Sequence, residues 1–172
     1  MQRIYLLSTG GTIEKVYSEQ SGAVENRAAK LDRYLRALRL PDADIQTVHL
    51  MNKDSLEMTD ADRIEVRDRV GELLKESAPI VISHGTDTMI ETGLFLESTF
   101  TDLPFSGLKV PIILTGAMTP LGFEGSDGLQ NLTESLLAAR LLSPGVFVVM
   151  HGQVFPVSKA RKDKDKATFV WK

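Results

Sequence analysis

Apolar positions along this chain switch repeatedly between two periods. Residues 4–7, 45–50, 79–83 and 110–114 are short runs rich in β-branched and aliphatic side chains, and read as strands buried on both faces. Between them, apolar residues recur every three or four positions: Leu31, Tyr34, Leu35 and Leu38; Val66, Val70, Leu73 and Leu74; Ile90 and Leu94. Leu129, Leu132, Leu136, Leu137 and Leu141 predict one leucine face on a further helix. Pro111 fits a strand only near its start, where a missing N–H is harmless. Residues 146–150 and 154–157, joined through His151-Gly152-Gln153, predict a hairpin, and 168–171 a last short strand. Strands alternating with amphipathic helices predict a three-layer α/β/α domain with a mostly parallel sheet, Rossmann- or flavodoxin-like, ending in a β-hairpin. No repeat, low-complexity segment or linker composition divides the chain, so one domain over residues 1–172 is expected.

The polar residues gather where the strands end. Ser8-Thr9-Gly10-Gly11-Thr12-Ile13, Asp54-Ser55-Leu56-Glu57-Met58, His84-Gly85-Thr86-Asp87-Thr88 and Thr115-Gly116-Ala117-Met118 each follow a predicted strand. Right-handed crossovers bring the C-terminal ends of parallel strands to one edge, where open α/β sheets bind ligands. Thr12, Ser55, Thr86, Asp87 and Thr115 therefore converge. A plainer reading competes, because short polar residues also cap helices: Thr88 with Glu91, Thr59 with Asp62, and residues 125–128 all resemble helix starts. Residues 14–25 follow neither period and predict a mobile surface loop carrying Tyr17, while 159–166, lysines interleaved with Asp163 and Asp165, predict a solvated loop.

Composition narrows the chemistry. With 172 residues, 42% hydrophobic and 25% charged, the chain can bury a core without staples, and its net charge of −3 with mixed signs gives no footprint for nucleic acid or an anionic membrane. There is no cysteine, signal-like segment or membrane span, which makes the cytoplasm the expected compartment. Three histidines without ligand spacing predict no metal site. Clustered hydroxyls, a carboxylate and glycine-rich turns suit anion binding or acyl transfer. Neither Gly-x-Gly-x-x-Gly nor a Walker-type lysine motif is present, which demotes a nucleotide site. A hydroxyl nucleophile needs a base or a neighbouring charge, and donors for the developing oxyanion. Thr86 beside Asp87, with a distant lysine, meets the first need; His84, at the strand end, reads as a hydrogen-bonded structural residue.

Thr9-Gly10-Gly11-Thr12-Ile13, His84-Gly85-Thr86-Asp87-Thr88-Met89 and Thr115-Gly116-Ala117-Met118, with Ser126-Asp127-Gly128 and Asn131, together resemble the bacterial-type L-asparaginase family. The resemblance spans essentially the whole chain and corresponds to the family's N-terminal domain, so the family's C-terminal domain is expected to be absent. It implies an amidohydrolase that converts L-asparagine to L-aspartate and ammonia, with some activity on glutamine, without a metal or organic cofactor. By resemblance Thr12 is the nucleophile that forms an acyl-enzyme, Tyr17 is its loop partner, and Thr86, Asp87 and Lys159 form a second catalytic group, with Lys162 a near competitor for the lysine. Gly11, Ser55, Thr86, Asp87, Thr115 and Ala117 are implied to bind substrate, with Ser55 on the α-carboxylate and Asp87 on the α-ammonium. Leu56 stands where the family commonly has glutamine. The family completes its site with residues from a neighbouring subunit, so a homo-oligomer is expected. Two other readings stay open: a non-catalytic amino-acid-binding module, or an asparaginase-like subunit of a tRNA-dependent amidotransferase.

Overall fold

The computed structural model describes residues 1–26, 31–101 and 107–172. In chain order its elements are β1 (Gln2–Gly10), β2 (Lys15–Ser18), β3 (Ala23–Asn26), α1 (Leu31–Leu35), β4 (Ala43–Lys53), α2 (Asp60–Leu73), β5 (Ile80–Ser83) and α3 (Met89–Thr101). They continue with β6 (Pro111–Thr115), α4 (Gly128–Leu141), β7 (Gly145–Met150), β8 (Gln153–Pro156), β9 (Ala160–Asp163) and β10 (Thr168–Trp171). Six strands form one sheet in the order β4-β1-β5-β6-β7-β8, parallel throughout except that β8 turns back antiparallel on β7. Strands β9 and β10 form a separate hairpin near the end of the chain.

The three layers follow from alternation along the strands. Ile4, Leu6, Val81 and Ile113 pack with Leu31 of α1 and Leu132 and Leu136 of α4. Their neighbours Leu7, Ile80, Ile82, Ile112 and Leu114 pack with Val66, Val70 and Leu73 of α2 and Leu96 of α3. Both faces of the central strands are thus covered, and burying each such side chain stabilises the fold by roughly 1.5–3 kcal/mol. Pro111 opens β6, where no ladder donor is required. Among the described residues, no helix is long and apolar enough to cross a membrane.

Four local expectations are corrected. Residues 15–26 form an antiparallel hairpin, with Tyr17 opposite Val24 and a turn through Gly22 at φ 67°; four-residue strands are too short to declare a period in the sequence. Of the α4 leucines only Leu132 and Leu136 are buried, while Leu129, Leu137 and Leu141 are exposed; Leu137 and Leu141 lie about 100° or more round the helix from the buried pair. Residues 160–163 form strand β9, not a solvated loop. At the start of α3, the Thr88 hydroxyl donates to the Ser55 carbonyl at 2.9 Å and Glu91 pairs with Arg63 at 3.0 Å, so both bind neighbouring segments. The cap of α2 forms as expected, with the side chains of Thr59 and Asp62 each accepting the other's backbone N–H.

Candidate active site

The site grows from three glycine-bearing turns that interlock at the C-terminal edge of the sheet. Gly10 and Gly11 have φ of 100° and 81°, a region that disfavours any side chain, and a methyl group on either would overlap neighbouring backbone. Gly10 lies against Asn52 and Lys53, and Gly11 against His84 and Gly85. Gly85 in turn lies against the Ser55 side chain, and Gly116 against the His84 carbonyl and Thr86. Hydrogen bonds fix this stacking: the Gly11 amide donates to the Lys53 carbonyl at 2.8 Å and Thr9 Oγ1 to the Ser83 carbonyl at 2.7 Å. The residues directly after Gly11 and Gly85, Thr12 and Thr86, are thereby delivered to one seam.

Thr86 is buried, and its hydroxyl is the centre of a polar group. Lys162 Nζ donates to Thr86 Oγ1 at 2.7 Å and to Asp87 Oδ1 at 2.9 Å, and the Thr86 hydroxyl faces Met118 Sδ at 3.8 Å. Lys162 comes from the middle of β9, on a segment 75 residues later in the chain. Thr12 is half-buried, and its hydroxyl makes no hydrogen bond with another described residue. Ser55 Oγ is buried against Gly85 and likewise has no partner among the described residues.

The surrounding charges are held in place. Asp54 accepts from Lys15 and from the Leu56 amide, and its carboxyl is drawn below the ordinary carboxylate range, first by Lys15 and with a contribution from the charge of Lys162. Burial acts to raise the Asp127 carboxyl, but the Met118 and Thr119 amides and His151 outweigh it and lower it. His84 is fully buried; its Nδ1–H donates to the Gly85 carbonyl at 2.8 Å and its Nε2 faces the Thr92 hydroxyl at 2.9 Å. Burial holds its pKa down at about 4, with the Arg63 charge adding to the effect against the Gly85 hydrogen bond. Both nitrogens being engaged, His84 is a structural residue, as its position in the sequence suggested.

Gly11, Thr12, Ser55, Thr86 and Asp87 are brought together. Lys159 is not: it lies exposed in the turn before β9, and Lys162 occupies the position expected of it. A turn residue and the third residue of the following strand point differently, which the lysine-rich spacing concealed. Tyr17 stands on β2, 59% exposed, without a hydrogen bond to Thr12. The Thr115 hydroxyl donates to the Val149 carbonyl at 2.9 Å and Ala117 packs in the core, so what reaches Thr86 from this segment is Gly116 and Met118. Among the described residues no group of His, Asp and Glu is placed to hold a metal ion.

Residues 3–169 match the family described as the asparaginase N-terminal domain. The chain belongs to the asparaginase family. Over 160 residues it is 29% identical to the L-asparaginase of Thermococcus kodakarensis, an alignment covering 93% of this chain and 47% of that protein. The solved structure of the thermostable L-asparaginase from that organism superposes with a TM-score of 0.84 at 28% identity, covering 99% of this chain and 51% of the other. A subunit of the glutamyl-tRNA(Gln) amidotransferase of Aeropyrum pernix is 34% identical over 158 residues, 88% of this chain and 35% of that protein. The glutaminase-asparaginase of Acinetobacter glutaminasificans is 30% identical over 169 residues, 92% of this chain and 49% of that protein. This asparaginase-family chain thus spans half or less of the length of these curated relatives.

One residue at the site, Asn26, was not singled out in the sequence. Asn26 of β3 donates to the Gly11 carbonyl at 3.1 Å and to Asn52 Oδ1 at 2.7 Å, tying the hairpin to the Thr12 turn. Residues 125–128 were expected to cap α4; the Asp127 side chain makes no such cap and instead receives the Met118 and Thr119 amides. No local pattern marks Asn26, because it acts on segments distant in sequence.

Proposed function

We propose that this chain hydrolyses L-asparagine to L-aspartate and ammonia through a threonine acyl-enzyme. The contact of Lys162 with Thr86 and Asp87 carries this reading, since a binding module has no use for a hydroxyl activated by a half-buried cation. In the first step Thr12 Oγ attacks the side-chain amide carbon, its proton passes to the departing nitrogen, and ammonia leaves an ester behind. In the second, water adds to the ester carbon, aspartate departs and the hydroxyl is restored. Lys162 lowers the proton affinity of Thr86, which relays protons to and from the reacting groups. Asp87 balances Lys162 and receives the substrate ammonium, and Ser55 receives the α-carboxylate. Gly116 and Met118 line the amide, in place of the side chains of Thr115 and Ala117. Closure of the β2–β3 hairpin brings Tyr17 to Thr12 and excludes water.

The reading includes weak glutaminase activity, because one methylene discriminates by only about 1–3 kcal/mol. It also includes a cytoplasmic homo-oligomer in which a neighbour covers the site; light scattering that finds a fully active monomer would refute this. The test of the catalytic reading is ammonia release from L-asparagine by the purified chain, with Thr12→Ala and Thr86→Val expected to abolish it while circular dichroism is unchanged. A second reading, a component feeding ammonia to a tRNA-dependent amidotransferase, is favoured by the 34% identity to the amidotransferase protein of Aeropyrum pernix. Activity appearing only when a partner is added would select it, and binding of aspartate without turnover would select a binding module.

A further inference from the structure

We propose that His151, in the turn between β7 and β8, is a positioning residue that sets Lys162 against Thr86. The inference rests on the reading of Thr86, Asp87 and Lys162 as a catalytic group. His151 has a φ of 51°, a left-handed conformation unusual for a residue other than glycine, and three hydrogen bonds hold it there. Its amide donates to Asn131 Oδ1 at 2.9 Å, Nε2 lies 2.7 Å from Asp127 Oδ2, and Nδ1 lies 2.7 Å from Thr168 Oγ1. A carboxylate only accepts, so Nε2 carries the hydrogen; in the neutral ring Nδ1 then accepts the Thr168 hydroxyl proton. One tautomer therefore serves both partners and fixes the ring.

Each partner leads to one side of the catalytic contact. Asp127 receives the Met118 amide at 3.0 Å and the Thr119 amide at 2.9 Å, and Asn131 Nδ2 donates to the Gly116 carbonyl at 3.0 Å. Gly116 and Met118 are the residues packed on Thr86. On the other side, Thr168 belongs to β10, whose next residue, Phe169, pairs with Lys162 of β9. His151 is thus the link between the turn that backs Thr86 and the hairpin that carries Lys162. The hairpin has other anchors: Phe169 is fully buried, and the Trp171 ring meets Phe155 edge-on at 5.0 Å. Those apolar contacts hold the hairpin to the domain, and the polar link sets where along it the lysine falls.

His151→Gly tests this, because glycine accepts the left-handed backbone and only the ring is lost. A misplacement of about 1 Å lowers turnover roughly 100-fold, so kcat is expected to fall by about 10- to 100-fold with KM nearly unchanged, and added imidazole to restore part of it. A readout independent of turnover is the NMR shift of the Lys162 ε-carbon, expected to move toward that of a solvated lysine in His151→Gly and in Thr168→Val, and to return with imidazole in the former. An unchanged Lys162 resonance in both variants, or a lowered Tm with kcat retained, overturns the proposal. If the wild-type chain releases no ammonia, the catalytic reading fails, and the Lys162 resonance still decides whether His151 positions the lysine.

Discussion

Which lysine meets Thr86 is decided by a distance. Lys162 lies 2.7 Å from Thr86 Oγ1, whereas Lys159 is exposed on the preceding turn. Lys162→Met is therefore expected to lower ammonia release by about 100- to 10,000-fold, the range for losing a group that assists proton transfer, while Lys159→Met stays within about twofold. Steady-state kinetics on the two variants separate them, and equal losses would return the role to the turn. The sequence made Thr12, Thr86 and Asp87 legible because each sits directly behind a glycine turn on a strand end. It left the lysine ambiguous, since two lysines three residues apart differ only in whether a turn or a strand carries them. Tyr17, Thr115 and Ala117 show a related limit: a side chain's direction is set by packing partners far along the chain.

At the scale of elements, the site depends on turns that pack without side chains. A methyl group on Gly85 would overlap Ser55, so Gly85→Ala must push the two strand ends apart. Overpacking of this kind costs about 1–3 kcal/mol, and the expected result is a lower urea midpoint together with a raised KM for asparagine. The β2–β3 hairpin is tied to the same seam by Asn26, whose amide nitrogen serves both Gly11 and Asn52. Asn26→Ala removes both bonds and takes the donor from Asn52 Oδ1, while the Gly11 carbonyl keeps the Glu14 amide at 3.2 Å, for an expected loss of about 1–3 kcal/mol in denaturant unfolding. The strand–helix alternation was readable because the central strands are apolar on both faces and the helices on one. The hairpin was not, because its strands lie outside the main sheet and bury little.

At the scale of the whole molecule, a buried neutral histidine makes stability depend on pH. His84 is held at a pKa of about 4 in the fold against 6.5 for a free side chain. The folded state therefore takes up its proton later than the unfolded chain. Stability from keeping His84 neutral is complete above pH 6.5 and falls as pH drops from 6.5 toward 4, by about 3 kcal/mol in all. His84→Gln is expected to flatten this part of the profile relative to wild type, as read from urea midpoints between pH 7.5 and 4; identical slopes would show that another group dominates. Membership in the asparaginase family rests on residues 3–169 and on the superposed fold. The proposal that the chain itself is catalytic rests on the packing of Gly11, next to Thr12, against Gly85, next to Thr86, and on the contact of Lys162 with Thr86 and Asp87. The most direct measurement is release of ammonia from L-asparagine by the purified chain, compared with its Thr12→Ala variant. Turnover by the wild type and its loss in a folded Thr12→Ala protein are expected; equal ammonia release from both proteins, or none from either, would contradict the assignment.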